Sequence, residues 1–298
     1  MGISFGAAEK HILELFSPGS SFVFNGINYR VVLAGKPTCS KGEPKTDTYV
    51  LAKSIAGLGE FKISFKKKNA DFLENKINNV RAAQLFGDNW REVIIRATLA
   101  LQNRFASRPL IYKQPYKRTG AGAITLGWKF ELLNVNSGDL SGNMFLTRDQ
   151  VIDVYAGTNL SWDKRDAYVD GNIIKNSGIA NFILFEENQP ATVQDAANML
   201  ISIEDYVRYY PNIYFACKAL NYRTYEGKYD GNRPLAVYVD WDVQNGKLVS
   251  RLVFDTPLQQ GGDYAFGKLD RAMKSLGITS TSELGVHNVA DVHTIWNG

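Results

Sequence analysis

The sequence predicts an α/β or α+β protein in which helices flank a mixed central β-sheet. Two dipeptides, Asn25-Gly26 and Asn245-Gly246, lie between apolar runs and are strong signals for tight β-hairpins. A third pair of strand-like runs meets at a turn near Ala56-Gly57. Segments with apolar residues at helical spacing separate these strands, so one fold must hold both kinds of element.

The first third of the chain shows both patterns in turn. Apolar residues at helical spacing predict helices, and alternation of apolar and polar residues predicts strands. The expected elements are a helix at 4–16, strands at 22–33 and 46–66, and helices at 69–86 and 89–105. Pro18-Gly19 ends the first helix, and Gly87 separates the last two.

The rest of the chain is richer in strands. Thr147 is a good N-cap for a helix, and Gly277 is a typical helix stop. The expected elements are a strand at 123–135, a helix from 147 through 154, a polar loop region at 161–178, a strand at 179–185, one helix or two at 194–209, strands at 235–243 and 248–254, and a helix at 264–276.

Composition sets limits on the class of protein. The chain has 298 residues, of which 45% are hydrophobic and 21% charged, as in an ordinary globular protein of one or two domains. No run approaches the roughly 20 apolar residues of a membrane span, and the N-terminus lacks the pattern of a signal peptide. The two cysteines are far apart, which favours a reducing, cytoplasmic setting. A net charge of +4 permits a nucleic-acid partner.

Several motifs of other enzyme classes are missing from the sequence. There is no Gly-x4-Gly-Lys-Ser/Thr loop, so we expect no nucleoside triphosphate partner. The three histidines have no zinc-like spacing, and no Gly-x-Ser-x-Gly elbow occurs.

The hairpin at 46–66 combines residue types that suit metal-dependent hydrolysis. Asp47 opens its first strand, and lysines alternate with apolar residues along the second. If Lys53 pairs with Glu60, Asp47 lies opposite Lys66, and Ser64 and Lys66 share the face away from the core. Glu60 would then lie six residues further along the sheet, about 20 Å from Asp47 at about 3.3 Å per residue, which is too far to share one ion. A bulge or a longer loop would reverse this choice, so Glu60 with Lys62 is the alternative register.

In the preferred register each residue has a chemical role. The carboxylate of Asp47 would bind Mg²⁺, and the backbone carbonyl of Phe65 would add an oxygen. Lys66 would orient the attacking water and stabilise charge on a phosphate. One carboxylate rarely holds Mg²⁺, so a second acid is expected, with Glu74 the first candidate. Glu9 and Glu14 of the first helix are also candidates. Asp240 and Asp242 share a strand face and offer a separate place for an ion.

The order of these residues resembles a known enzyme core. Thr46-Asp47, then Lys62-Ile63-Ser64-Phe65-Lys66-Lys67, then a segment with Glu74, resembles type II restriction endonucleases of the PD-(D/E)xK superfamily. The branch it is similar to has a small residue such as Ser in place of the first acid of the last motif. Thr46 stands where the family has Pro. Asp47 and Lys66 match the motif best, and Ser64 follows.

The resemblance implies a fold and an activity. It implies a restriction-endonuclease-like core, a β-rich C-terminal part, and Mg²⁺-dependent hydrolysis of double-stranded DNA by a homodimer. Residues 1–110 would form the nuclease core and residues 111–298 the recognition and supporting region, unless the two form one integrated domain. The residues expected to contact DNA are basic or polar and lie in three stretches: Lys67 and Lys68; Lys113, Lys117 and Arg118; and Lys164, Arg165, Lys175, Asn176 and Ser177.

Two other functions fit the same residues. One is a repair or recombination nuclease that recognises DNA structure. The other is a non-catalytic protein that uses the basic hairpin to contact phosphates. An alternating strand of this kind is also what a solvated edge strand looks like, so the resemblance decides between the interpretations.

Overall fold

The protein is a mixed α/β structure, seen in a computed structural model that describes residues 5–40, 42–67, 72–75, 77–186 and 188–298. The helices are α1 (Phe5–Leu15), α2 (Asn79–Phe86), α3 (Trp90–Leu99), α4 (Gln102–Ala106), α5 (Arg148–Ala156), α6 (Trp162–Arg165), α7 (Val193–Asn198), α8 (Ile203–Tyr209) and α9 (Gly262–Ser275). The strands up to the middle of the chain are β1 (Ser21–Phe24), β2 (Ile27–Gly35), β3 (Thr48–Ser54), β4 (Gly57–Lys67), β5 (Phe72–Glu74), β6 (Ile111–Tyr112), β7 (Ala123–Leu133) and β8 (Ser141–Met144). Those that follow are β9 (Tyr168–Val169), β10 (Asn172–Ile173), β11 (Phe182–Glu186), β12 (Leu200–Ser202), β13 (Ile213–Arg223), β14 (Lys228–Tyr229), β15 (Val237–Gln244), β16 (Lys247–Val253) and β17 (Ile295–Trp296).

The chain forms two compact units, and each is built from two separate segments. Unit 1 comprises Met1–Leu73 and Leu146–Asn212, and unit 2 comprises Glu74–Phe145 and Ile213–Gly298. The expected division after residue 110 differs from this one, because residue 110 lies inside unit 2. In the part of the chain that the structure describes, no helix has the length and apolarity needed to cross a membrane.

Unit 1 contains a six-stranded mixed sheet in the order β1-β2-β3-β4-β11-β12. The first four strands form an antiparallel meander, and β11 runs parallel to β4. One face of the sheet is packed by α1 and α7. The buried residues on this face are Ala8, Ile12, Phe16, Val50, Ala52, Phe61, Ile63, Phe65, Leu184, Ala196 and Ala197. Alternation along β4 therefore buries Phe61, Ile63 and Phe65 as the sequence predicts.

Unit 2 is built on a second, mainly antiparallel sheet. Its strands follow the order β14-β13-β7-β15-β16, β8 pairs with β13, and β6 joins β7 to the parallel β17. The pairing of β15 with β16 confirms the hairpin expected at Asn245-Gly246. Asp240, offered as part of a second ion site, instead lies 3.0 Å from both Arg251 and Lys268.

Some elements differ from the sequence prediction. The helix expected at 69–86 is confirmed only from Asn79, because the side chain of Asn78 caps α2 by accepting from the N–H of Arg81 at 2.9 Å. Phe72–Glu74 is a strand instead, and residues 68–71 and 76 lie outside the described residues. The segment 194–209 forms α7 and α8 with β12 between them. The long strand β13 was not expected.

Candidate active site

The candidate site lies where β3 leaves β4 in unit 1. The last residue pair between these strands joins Thr48 to Ile63, whereas β4 continues beside β11 as far as the pair of Lys67 with Glu186. The final residues of β4 thus keep a neighbour on one side and lose it on the other. The end of β4 therefore has room for a side chain in place of a neighbouring strand.

Asp47 stands at the point of divergence and is fixed by two backbone groups. Its own N–H donates to the carbonyl of Ile63 at 2.8 Å. Its carboxylate oxygen Oδ2 accepts from the N–H of Phe65 at 2.7 Å. The carboxylate of Asp47 therefore accepts the hydrogen bond that a backbone carbonyl would accept if β3 began earlier. This bond holds the carboxylate at the end of β4.

The expected hairpin register is wrong by two residues. Lys53 pairs with Leu58 and Ser54 with Gly57, so the turn is Ile55-Ala56, one residue earlier than expected. Asp47 therefore lies beside Ser64 and Phe65 and is not directly opposite Lys66. Because a shift of two residues leaves every side chain on its face, Ser64 and Lys66 still share the face that the sequence predicts.

The electrostatics of Asp47 connect it to Lys66. Burial raises the pKa of Asp47 from its ordinary value of 3.8 to about 6, and the charge of Lys66 is the largest influence that lowers it. Lys66 is half-buried and forms no hydrogen bond or ion pair with any residue that the structure describes. The structure thus brings together the acid and the lysine singled out in the sequence, with the lysine available for a ligand.

Glu9 of α1 is the second acid in this region. Glu9 is buried, and its charge raises the pKa of Asp47 further. Its oxygen Oε2 lies 2.8 Å from Nζ of Lys36, and that hydrogen bond raises the pKa of Lys36. The charge of Lys36 also lowers the pKa of Asp47. Glu9, Lys36, Asp47 and Lys66 therefore form one interacting group of charges, which we call the charged cluster.

Sequence reasoning found three of these four residues. Asp47 and Lys66 came from the hairpin, and Glu9 was one of two acids proposed on the first helix. Glu14, the other one, is exposed and lies 3.6 Å from Lys10 in an ion pair. Lys36 was missed, because a lone lysine after β2 carries no sequence signal that separates it from a solvated residue.

Glu74, the first candidate for the second acid, pairs with Arg81. It belongs to unit 2, where its Oε1 accepts from Nη2 of Arg81 at 2.9 Å and from Nε at 3.2 Å. Both side chains are nearly buried, with exposed fractions of 15% and 10%. A pair this well enclosed is a structural ion pair of unit 2.

The alternative register based on Glu60 and Lys62 finds no support in the geometry. Glu60 accepts a hydrogen bond from the hydroxyl of Tyr49 at 2.6 Å and lies 3.6 Å from Nζ of Lys62. Burial and the contact with Glu60 raise the pKa of Tyr49. These three residues form a self-contained cluster on the sheet.

Ser64 and Phe65 lie where the sequence places them. The side chain of Ser64 is 1% exposed, and its hydroxyl has no hydrogen-bond partner in the described part of the chain. Phe65 is fully buried in the core, and β11 pairs with it through Leu184. An unpaired buried hydroxyl beside Asp47 is unusual, because burial without a hydrogen bond is costly.

The residues expected to contact DNA are placed unevenly. Lys67 and the exposed Lys175 lie in unit 1, as do Lys164 and Arg165, and Arg165 lies 3.5 Å from Asp166. Asn176 donates its N–H to Asp166 at 2.9 Å. Lys68 lies outside the described residues.

Ser177, one of the residues expected to contact DNA, is buried. It is 0% exposed, and its hydroxyl donates to the carbonyl of Ala167 at 2.9 Å. A side chain enclosed in this way does not reach a base edge. Its role is to close the loop that leads into β11.

The basic cluster expected near residue 115 lies on unit 2. Lys117 forms an ion pair with Asp139, and Lys113 donates to the carbonyl of Ser282 at 3.3 Å. Arg118 is exposed. The contacts of Lys117 and Arg108 lower the pKa of Asp139. One of the three basic side chains is thus partly neutralised on its own surface.

The charged cluster contains two carboxylates, those of Asp47 and Glu9, that bear on whether it can bind a hard divalent cation. No group of three or more His, Cys, Asp or Glu side chains arranged for a metal occurs among the described residues. Mg²⁺, however, is commonly held by one or two carboxylates together with water and substrate phosphate. Asp47 and Glu9 are the two carboxylates of the cluster that could supply such ligands, and burial is the largest cause of the raised pKa of Asp47.

Comparisons with known proteins add no relative. The chain matches no protein-family model, no curated protein and no solved structure. Its function must therefore be argued from its own residues.

Proposed function

We propose that this protein is a Mg²⁺-dependent endonuclease of the restriction type that hydrolyses phosphodiester bonds of double-stranded DNA. The observation that carries the proposal is the placement of Asp47. Its carboxylate accepts from the N–H of Phe65 at 2.7 Å and interacts with the charge of Lys66, whose ammonium group has no partner among the described residues. A fixed carboxylate that can hold a divalent cation, beside a lysine that can orient water, suits metal-assisted hydrolysis.

The proposal gives each charged residue a task. Asp47 and Glu9 hold the Mg²⁺, which supplies a polarised water and offsets charge on the phosphate. Lys66 orients the attacking water and stabilises the negative charge that develops on the phosphate oxygens. Ser64 shares a face of β4 with Lys66, and its buried hydroxyl has no hydrogen-bond partner among the described residues; the resemblance replaces an acid by a small residue at this position.

The proposal also assigns parts to the two units. Unit 1 contains the charged cluster and corresponds to the restriction-endonuclease-like core. Unit 2 supplies DNA contacts through Lys113, Lys117 and Arg118. Cleavage of both strands calls for two sites, so the active form is a homodimer.

The direct test is incubation of the purified protein with plasmid and phage DNA, with and without Mg²⁺, followed by sequencing of the product ends. We expect discrete fragments that appear only with the metal. The variants Asp47→Ala and Lys66→Ala should lose cleavage and keep most DNA binding, and Glu9→Gln should need more Mg²⁺. Glu14→Gln is the matched control on the same helix, and it should cleave normally because Glu14 is exposed.

Other results would favour the alternative functions. Nicks confined to branched or mismatched DNA would indicate a repair or recombination nuclease. Binding with steep salt dependence and no hydrolysis in Mg²⁺ would indicate a non-catalytic DNA-binding protein. Full cleavage by Asp47→Ala or Lys66→Ala would refute the site.

A further inference from the structure

Unit 2 contains a surface depression that the proposed active site does not use. Its volume is about 340 Å³. Among the described residues it is lined by three side-chain amides, two cationic side chains and three apolar residues, and by no carboxylate: Asn75, Asn78, Asn232, Lys129, Arg233, Ile77, Phe130 and Pro234. We call it the amide-cation depression.

Two of the amides are oriented so that their N–H groups remain free. The Oδ1 of Asn78 accepts from the N–H of Arg81 at 2.9 Å, and the Oδ1 of Asn232 accepts from the N–H of Asp263 at 3.2 Å. Each bond fixes the amide oxygen against the first turn of a helix. The nitrogen Nδ2 of each amide donates to no residue that the structure describes. Each of these amides therefore keeps an N–H₂ donor that is unused among the described residues.

The two cations differ in their contacts within the protein. Arg233 is exposed and makes no side-chain hydrogen bond or ion pair within the described residues. Lys129 lies 3.6 Å from Glu131, but the closer ion pair of Glu131 is with Lys218 at 3.1 Å. Glu131 is thus shared between two lysines. With no acid in the lining, the depression carries a formal charge of +2 from Lys129 and Arg233.

We propose that the amide-cation depression binds a phosphate of the DNA backbone. The amide N–H donors, the exposed Arg233 and Lys129, which shares Glu131 with Lys218, match an anion with several acceptor oxygens. The exposed positions of Asn75, Asn78, Asn232 and Arg233 allow a backbone phosphate to approach from solvent. Contacts of this type position DNA without reading its sequence. The inference rests on the proposed function, because DNA is the ligand in both, and it places a DNA contact on unit 2.

The test measures DNA affinity as a function of salt concentration, without Mg²⁺ so that no cleavage occurs. The variants are Arg233→Gln and the double variant Arg233→Gln with Lys129→Gln. For the double variant, the slope of log K against log salt should become shallower by about 1, the value for one lost phosphate contact. The same change is expected on two duplexes of unrelated sequence. Arg271→Gln, an exposed cation on α9 outside the depression, is the matched control and should keep the wild-type slope.

The outcomes separate this inference from the proposed function. If the wild type binds and cleaves DNA and the double variant keeps its slope, the depression is not a DNA contact and the nuclease proposal stands. If the wild type neither binds nor cleaves DNA, both fail. A second arm titrates inorganic phosphate by calorimetry. Binding of phosphate that depends on Arg233, together with an unchanged DNA slope, would indicate a site for a free anion and overturn the proposal.

Folding of the variants is checked by their thermal transitions. Arg233 is exposed, so its replacement should leave the melting temperature unchanged. If replacement of Lys129 disturbs Glu131 and lowers the melting temperature, the salt slope of Arg233→Gln alone decides the test.

Discussion

At the scale of the residue, Asp47 combines two opposing influences. The hydrogen bond from Phe65 and the charges of Lys66 and Lys36 favour its ionised form, whereas burial and the charge of Glu9 favour the protonated form. Burial is the larger influence, and the pKa of Asp47 rises to about 6. An acid with this pKa changes its charge close to neutral pH and responds strongly to a nearby cation.

The raised pKa of Asp47 predicts a pH dependence of stability in the metal-free protein. A carboxyl group whose pKa is higher when folded favours folding most below its unfolded pKa, and the benefit is lost as pH rises through the folded pKa. The rise from 3.8 to about 6 corresponds to at most roughly 3 kcal/mol, since a tenfold change in ionisation is worth about 1.4 kcal/mol. We therefore expect this contribution to the free energy of unfolding to fall between about pH 4 and pH 6.

Urea unfolding of the wild type and of Asp47→Asn, across this pH range in a chelator, measures the effect. The Asn variant cannot ionise, so the difference between the two proteins should change in favour of the variant as pH rises. A difference that stays constant from pH 4 to pH 7 would contradict the raised pKa. Added Mg²⁺ should stabilise the wild type more than the variant at neutral pH.

At the scale of the element, the approach to β3 depends on a close contact with the loop before β11. The carbonyl of Gly178 accepts from the N–H groups of Lys45 and Thr46 at 3.0 and 3.2 Å. A Cβ at position 178 would lie 1.8 Å from the carbonyl oxygen of Lys164. Only glycine fits between these two segments, so Gly178 helps to set the position of Asp47.

The variant Gly178→Ala should therefore be destabilised and less active. Relief of the overlap requires movement of backbone, and overpacking of this kind typically costs about 1–3 kcal/mol. The melting temperature and the cleavage rate should both fall. Gly6→Ala in α1 is the control in the same unit, because a Cβ there meets nothing within 4 Å. A Gly178→Ala protein as stable and active as Gly6→Ala would show that the loop does not position Asp47.

The hairpin shows how far sequence reasoning reaches at this scale. Alternation along β4 correctly placed Phe61, Ile63 and Phe65 in the core and Ser64 on the other face. The turn was misplaced by one residue, because glycine was expected inside the turn. Gly57 instead follows it, with a φ of +116° that suits glycine. The role of Glu9 depends on how α1 packs on the sheet, which no local pattern contains.

At the scale of the whole molecule, the division into units was beyond the reach of the sequence. β4 lies between β3 and β11 in the sheet, and β11 comes more than 100 residues after β4 in the chain. Between them the chain enters unit 2 at Glu74 and returns at Leu146. The composition on the two sides of each crossing is ordinary, with no linker-like stretch to mark it. The sequence prediction divided the chain after residue 110, whereas the units are defined by long-range strand pairing.

This arrangement predicts that residues 1–110 do not fold as an independent nuclease core. The fragment lacks β11, so β4 loses five paired residues, from Ile63 with Phe182 to Lys67 with Glu186. It also loses the stacking of Phe182 on Phe61, whose rings are 5.4 Å apart, and the buried side chain of Leu184. Residues 74–110 would in turn lack β7, the central strand of their own unit. We expect the fragment to show no cooperative thermal transition by near-ultraviolet circular dichroism and no cleavage of DNA in Mg²⁺. The whole chain should show a cooperative transition and should cleave DNA in Mg²⁺. A sharp transition in the fragment would mean that β11 is dispensable for the sheet that holds Asp47.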